Sequence, residues 1–124
     1  MYLVGAAHPH KVDAQLILER LVADQQRLVC DVEVIHEILH RYSAIDRRDA
    51  TGPTIDVLLG IVDDVLPIER IDVLRATAIV SGPDRHGARD ALHLAVMERH
   101  GIKAIVSFDR DFDRWPGIER IYET

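Results

Sequence analysis

Aromatic side chains, cysteine and excess positive charge are all scarce in this sequence. Phe, Trp and Tyr make up 5% of the 124 residues, so the core must be built from aliphatic side chains. The only cysteine, Cys30, cannot form an internal disulfide, and its place in an apolar run predicts a small buried residue in a reducing compartment. No segment approaches the roughly 20 apolar residues that span a bilayer, and no signal peptide is recognisable. We therefore expect a cytoplasmic protein without membrane association.

The formal net charge of −6 argues mildly against a nucleic-acid-binding protein, because contacts to phosphate are normally made by Lys and Arg. An enzyme that meets phosphate through divalent cations, however, needs a cluster of carboxylates, which makes its sequence more acidic. Net charge therefore leaves both classes of protein open.

Hydrophobic periodicity predicts one domain over residues 1–124 in which strands and helices alternate. On the helix predicted for residues 32–45 we expect Glu33, His36, Glu37, His40 and Arg41 to cover the side away from the core. The near-continuous apolar run at 103–107 is typical of a parallel strand covered on both faces. The pattern indicates an α/β sandwich with right-handed crossovers. The predicted helices cover residues 11–24, 32–45, 47–62, 69–81 and 88–100, and the predicted strands cover 27–31, 64–68, 103–107 and 119–122. Core positions on the 32–45 helix are Val34, Ile35, Ile38, Leu39, Tyr42 and Ile45.

The segment His36-Glu37-Ile-Leu-His40 has the spacing of a zinc protease motif, in which two His on one helix bind zinc and the Glu acts as general base. The motif fixes only three positions in a chain with seven His. The alternative is a solvated helix face on which Glu37 pairs with Arg41. We expect His36 and His40 not to share a metal.

Two acidic segments occur in the second half of the chain. Asp90 opens a helix that is otherwise apolar, where a carboxylate either favours the helix dipole, pairs with a cation or binds a metal. Asp109, Asp111 and Asp113 come directly after the 103–107 strand, at the edge where parallel sheets bind ligands. An EF-hand is excluded, because Arg114 and Arg120 stand where that loop needs Gly and Glu. The alternative is a solvated loop in which Asp111 or Asp113 caps a helical turn.

Glu37, Asp90 and Asp109 could converge at one edge of the sheet, where hard oxygen ligands suit Mg²⁺ or Mn²⁺. The corresponding chemistry is metal-assisted hydrolysis of a phosphodiester.

Three runs in this order resemble VapC toxins of the PIN-domain family over nearly the whole chain: residues 32–41, Ala88-Arg-Asp90-Ala-Leu-His-Leu-Ala95, and Ser107-Phe-Asp109-Arg-Asp111-Phe-Asp-Arg-Trp-Pro-Gly117. The resemblance implies a three-layer α/β/α sandwich with a mostly parallel sheet. It also implies an endoribonuclease that depends on Mg²⁺ or Mn²⁺, a VapB-like antitoxin as partner, an RNA substrate and a homodimer. By position, Glu37, Asp90 and Asp109 match catalytic metal ligands of the family, and Asp111 is a possible extra ligand.

The chain departs from the family pattern at its front. Family members open with a strand that ends in Asp-x-Asn or Asp-x-Ser, whereas no such motif precedes Asp13 here. Residues 1–10 instead resemble the family segment that leads from this motif into the first helix. We therefore expect an N-terminally truncated domain with weak or no ribonuclease activity, and a slot or a poor substitute where the central strand should lie. A zinc protease built on His36, Glu37 and His40 is one alternative. An inactive relative that only binds an antitoxin is the other.

Overall fold

Strands and helices alternate along the chain in the computed structural model, which describes residues 1–5, 11–84 and 86–123. A 3₁₀ turn at Arg48–Ala50 precedes the third helix, and a second one at Arg110–Arg114, here the acidic turn, comes after the fourth strand. None of the described helices is long and apolar enough to cross a membrane. The strands are β1 Tyr2–Val4, β2 Leu28–Asp31, β3 Asp64–Leu66, β4 Ala104–Val106 and β5 Glu119–Ile121; the helices are α1 Lys11–Ala23, α2 Val32–Ala44, α3 Thr51–Ile61, α4 Arg70–Val80 and α5 Ala88–His100.

The five strands form one parallel sheet in the order β3-β2-β1-β4-β5, with helices on both faces. Successive strand residues point to opposite faces, so Leu3 and Ile105 join a core cluster with α4 and α5. Val4 and Val106 join a second cluster with α1, α2 and α3. The result is the expected three-layer α/β/α sandwich.

The centre of the sheet is filled, so of the two expected arrangements, a slot or a substitute strand, the slot is absent between β2 and β4. Tyr2–Val4 occupies the position and pairs in parallel with both neighbours, Leu3 lying opposite Val29 on one side and Ile105 on the other. The physical reason is that β2 and β4 would otherwise bury unpaired N–H and C=O groups. Leu3 and Val4, which are 0% and 3% exposed, also supply one apolar side chain to each face. The prediction that residues 1–10 correspond to the family segment after the first strand stays a prediction.

The helices begin and end within two residues of the predicted bounds, except the one predicted from residue 47, where a separate 3₁₀ turn comes first. Gly101 ends α5 with φ +67°, a conformation that glycine adopts without strain. The predicted core face of α2 was too wide, because Leu39 and Ile45 are half exposed. The buried stripe of α2 contains only Val34, Ile38 and Tyr42. A helix on the face of a sheet buries the side chains toward the sheet and leaves its outer half in water.

Candidate metal centre

Asp90 lies in the first turn of α5, where the helix has just begun after Gly87. The helix runs back toward the start of β4, so Asp90 lies at the opposite, carboxyl end of the sheet. Its side chain is half-buried. The local reason is that the next residues of α5 must face the apolar core, which fixes the first turn against the end of the sheet.

Asp109 and Asp111 follow β4 and lie at the same carboxyl end of the sheet as Asp90. Asp109 immediately precedes the acidic turn, and its side chain accepts a hydrogen bond from the Asp111 N–H at 2.9 Å. The Asp109 N–H in turn donates to Ser107 Oγ at 3.1 Å. In the alternative of a solvated loop, the capping residue was Asp111 or Asp113; in the structure Asp109 caps the turn, because it stands immediately before it.

The carboxylates of Asp90, Asp109 and Asp111 form one group, in which an oxygen from each lies within 4.8 Å of the others. Burial, the hydrogen bond with Asp109 and the negative charge of Asp109 together raise the pKa of Asp90 to about 7. Arg114 lies 3.4 Å from Asp111 and offsets part of the charge. Three converging carboxylates with one pKa raised by its neighbours are a donor set that a hard divalent cation would complete, so the residues present fit Mg²⁺ or Mn²⁺.

Glu37 is not a member of that group, although it lies on the same side of the domain. Its Oε1 is 2.8 Å from Nε2 of His93, one turn along α5 from Asp90. The periodicity of α2 predicted that Glu37 lies on the side away from the core; that prediction is wrong, because its side chain is 17% exposed and contacts His93 of α5. The alternative, a solvated pair with Arg41, is not what the structure shows either. Glu37 and Asp90 are therefore joined through α5 rather than in direct contact.

Sequence analysis did not identify His93, which contacts Glu37, or Asp31, which contacts His93. Nδ1 of His93 lies 2.6 Å from Oδ2 of Asp31, and the side chains of His93 and Asp31 are 3% and 0% exposed. Burial alone lowers the pKa of His93, but the hydrogen bonds and charges of Asp31 and Glu37 outweigh it and raise that pKa to about 10. A ring held between two carboxylates in this way is an imidazolium at neutral pH. The available signal was a histidine in an otherwise apolar helix, which requires a buried polar partner.

The zinc protease geometry finds no support here. Among the residues that the structure describes, Asp90, Asp109 and Asp111 form the only group of three or more His, Cys, Asp or Glu that could hold a metal. His36 and His40 are both exposed, and Nδ1 of His36 lies 3.4 Å from Glu33 instead.

The carboxyl end of the central strand carries no acid. β1 leads into Gly5, whose N–H donates to Val106 O at 2.9 Å. A Cβ at Gly5 would lie 3.0 Å from the same carbonyl oxygen, so a side chain there would require the backbone to shift. Within the described residues, the carboxylates at this edge thus come from α5 and the acidic turn, with Glu37 of α2 nearby, but not from β1.

Comparison with known proteins identifies the family. A family model described as the PIN domain matches residues 1–118, so the chain belongs to the PIN-domain family. Among curated proteins, Ribonuclease VapC13 of Mycobacterium tuberculosis is 54% identical over 121 residues, which cover 98% of this chain and 92% of that relative.

Two solved structures share the fold. The Mycobacterium tuberculosis toxin VapC20, described as cleaving the sarcin–ricin loop, superposes with a TM-score of 0.76 at 19% identity, covering 96% of this chain and 98% of its own. The VapBC2 complex of Rickettsia felis, bound to a DNA fragment from its promoter, gives a TM-score of 0.73 at 15% identity, covering 97% and 96%. At these identities the likeness shows the architecture alone.

Proposed function

We propose that this chain is an endoribonuclease of the VapC type that depends on a divalent metal ion and is the toxin of a toxin–antitoxin pair. The observation that carries the proposal is the group of Asp90, Asp109 and Asp111 carboxylates at the carboxyl end of the parallel sheet. Identity of 54% to a ribonuclease over 98% of the chain supports the assignment of RNA as substrate.

Asp90, Asp109 and Asp111 would hold the metal ion, with Glu37 as a further ligand from α2. A bound Mg²⁺ or Mn²⁺ supplies Lewis-acid activation of water and of the scissile phosphate. The chain's own part is to bring the carboxylates together on short, rigid elements. Without a cation, Asp90 and Asp109 share a hydrogen bond, and the raised pKa of Asp90 lets it retain a proton near neutral pH.

The proposed partners are a VapB-like antitoxin and a second copy of the chain. The antitoxin is supported by the 54% identity to Ribonuclease VapC13, because the resemblance to VapC toxins implies a VapB-like partner. A homodimer is supported by apolar side chains exposed on α4, including Ile71 and Leu74 at 61% and 59%. A cytoplasmic location is supported by cysteine usage, since Cys30 is the only cysteine in the sequence and is free.

The test combines metal binding with RNA cleavage. The chelator-treated protein is titrated with Mn²⁺ by calorimetry, and cleavage of a fluorescent RNA is followed with Mg²⁺, with Mn²⁺ and with EDTA. Because β1 ends without an acid, we expect slow cleavage that requires the metal. Changes to residues that only support a metal ligand cost about 10–100-fold, so Asp90→Asn and Asp109→Asn, which remove a ligand, should weaken Mn²⁺ binding at least about 100-fold.

Asp56→Asn is the matched control, since Asp56 is an exposed carboxylate on α3. Cleavage that survives EDTA, or that is insensitive to both site variants, would contradict the proposal. Intact Mn²⁺ binding with no cleavage would favour the alternative of an inactive PIN-domain protein that only binds an antitoxin.

A further inference from the structure

His93 contacts each of the elements that supply carboxylates to the metal centre. Through Nε2 it reaches Glu37 on α2, at 2.8 Å. On its own helix it lies one turn from Asp90. Its ring also lies 6.5 Å from the ring of Phe112, which belongs to the acidic turn that carries Asp111. One buried side chain therefore connects three separate parts of the fold.

Asp31 fixes the orientation of the His93 ring through Nδ1, on the side of the ring opposite to Glu37. Its Oδ2 lies 2.6 Å from Nδ1 of His93, while its Oδ1 accepts a hydrogen bond from the Val34 N–H at 3.1 Å and so caps α2. The same carboxylate thus sets the start of the helix that carries Glu37 and the ring that Glu37 contacts. With both of its oxygens engaged and no exposed surface, Asp31 is not available as a metal ligand.

Glu37 is correspondingly constrained. A glutamate side chain on a helix surface samples several rotamers, and fixing one of them costs conformational entropy when a ligand binds. Here Oε1 is already held by His93, and no described residue makes a hydrogen bond to Oε2. The carboxylate therefore presents one oxygen in a defined position before any cation arrives.

We propose that His93 is a positioning residue of the metal centre, holding Glu37 through Nε2 as the fourth carboxylate while Asp31 orients the ring through Nδ1. The inference rests on the proposed function, because it needs a cation bound by Asp90 and Asp109. The competing role is a purely structural bridge between α2 and α5, which would affect stability but not metal affinity.

Two substitutions separate the two nitrogens of the ring. The amide of His93→Gln can reach the position of Nε2 and retain the contact to Glu37, whereas the amide of His93→Asn reaches only the position of Nδ1 and retains the contact to Asp31. With Mn²⁺ alone as the probe, calorimetry should give an affinity at least about tenfold weaker for His93→Asn, and close to wild type for His93→Gln. Equal affinities in the two variants, whether both normal or both reduced, would overturn the proposal.

The dependence on Glu37 provides a second comparison. If His93 acts through Glu37, the double variant His93→Asn/Glu37→Gln should bind Mn²⁺ no more weakly than Glu37→Gln alone. Additive losses would show that His93 affects the metal by another route and would refute the assignment.

A measurement on the unmodified protein covers the case in which the His93 variants do not fold. Titration with Mg²⁺ should shift the Nε2 resonance of His93 in nitrogen-15 spectra more than the Nδ1 resonance, since the effect passes through Glu37. Absence of that shift at saturating Mg²⁺ would overturn the positioning role.

The site variants distinguish failure of this inference from failure of the proposed function. If Asp90→Asn and Asp109→Asn bind Mn²⁺ normally, the proposed function itself fails. If these variants lose binding but the His93 variants and the Mg²⁺ titration do not give the expected results, only the present inference fails.

Discussion

Asp90 is held in an environment that opposes its charge, since it is half-buried and shares a hydrogen bond with a second carboxylate. In the unfolded chain its pKa is near 3.8, whereas in the folded protein it is raised to about 7. A raised carboxyl pKa means that the folded state binds the proton more tightly. Without a cation, Asp90 therefore reduces the stability of the fold as pH rises from about 4 to 7.

Asp90→Asn should consequently stabilise the metal-free protein. The amide is neutral at every pH, so the advantage should be absent near pH 4, grow through the window up to 7, and reach a plateau above it. After allowance for screening by solvent we expect a gain on the order of 1 kcal/mol, or about 5 °C in the unfolding midpoint. Thermal unfolding in EDTA at pH 4, 6 and 8 measures the effect, with Asp56→Asn as control. A difference that is constant across pH would show that the carboxyl group is not the cause.

Sequence reasoning found Asp90, Asp109 and Asp111 but misjudged the surroundings of Glu37. The three aspartates were predictable because each succeeds a strand or opens a helix at the sheet edge, and parallel topology brings such positions together. The partner of Glu37 was not, because it is 56 residues away on another helix. Hydrophobic periodicity shows which side of a helix is apolar. A glutamate counts as polar in that pattern whether it is exposed or, like Glu37, half-buried against a histidine.

At the scale of elements, α4 and α5 are joined at one end by an ion pair that is mostly buried. Asp72 is 1% exposed and accepts hydrogen bonds from Arg99 Nε and Nη2, both at 2.8 Å. Its Oδ2 also accepts from the Glu69 N–H at 2.8 Å, just before α4 begins. The hydrogen bonds with Arg99 hold the pKa of Asp72 below its ordinary value, so this contribution is present above about pH 4 and is lost as pH falls through the lowered pKa.

Asp72→Ala should lower the free energy of unfolding by about 2 kcal/mol at neutral pH, because it removes charge-assisted hydrogen bonds and a cap from α4. Glu98→Ala removes an exposed acid that also links the two helices. Its pair with Arg75 has side chains 50% and 45% exposed, and exposed pairs contribute less than about 1 kcal/mol. Urea denaturation compares the two variants. Equal losses would mean that burial does not distinguish the pairs.

The order of the elements was predictable from the sequence, but the width of the helix faces was not. Alternation of apolar runs with helical periods was enough to predict a parallel α/β sheet. On the 32–45 helix, however, Leu39 and Ile45 were assigned to the core face and are 50% and 55% exposed. An apolar side chain carries no information about whether a sheet, a partner or water covers it.

At the scale of the whole molecule, α4 presents an unusually apolar outer surface. Ile71, Val73, Leu74 and Val80 are between 42% and 61% exposed on this one helix. Exposed apolar patches of this kind mark association surfaces. The proposed homodimer would cover them.

Leu74→Lys should therefore shift the chain toward the monomer. In a dimer with a twofold axis each substitution occurs twice, and burying a leucine contributes about 1.5–3 kcal/mol, so the dissociation constant should rise about 100-fold or more. Sedimentation velocity over a concentration series measures the change. Val57→Lys, at a 64% exposed position on α3, is the control. If Val57→Lys dissociates the dimer and Leu74→Lys does not, the interface lies elsewhere.

The central strand also constrains the time at which this protein can become active during synthesis. β1 pairs with β4, so the backbone of Leu3 cannot pair with that of Ile105 until β4 has been synthesised. β5, which pairs with β4 on its other side, is synthesised later still. Pairings between such distant segments form late, because a long loop must close before they contribute. Asp109 and Asp111 emerge after the same strand. Until the ribosome has added the acidic turn and β5, the nascent chain therefore has neither a complete sheet nor the three aspartates of the proposed metal site, so the proposed cleavage of RNA has to follow their synthesis.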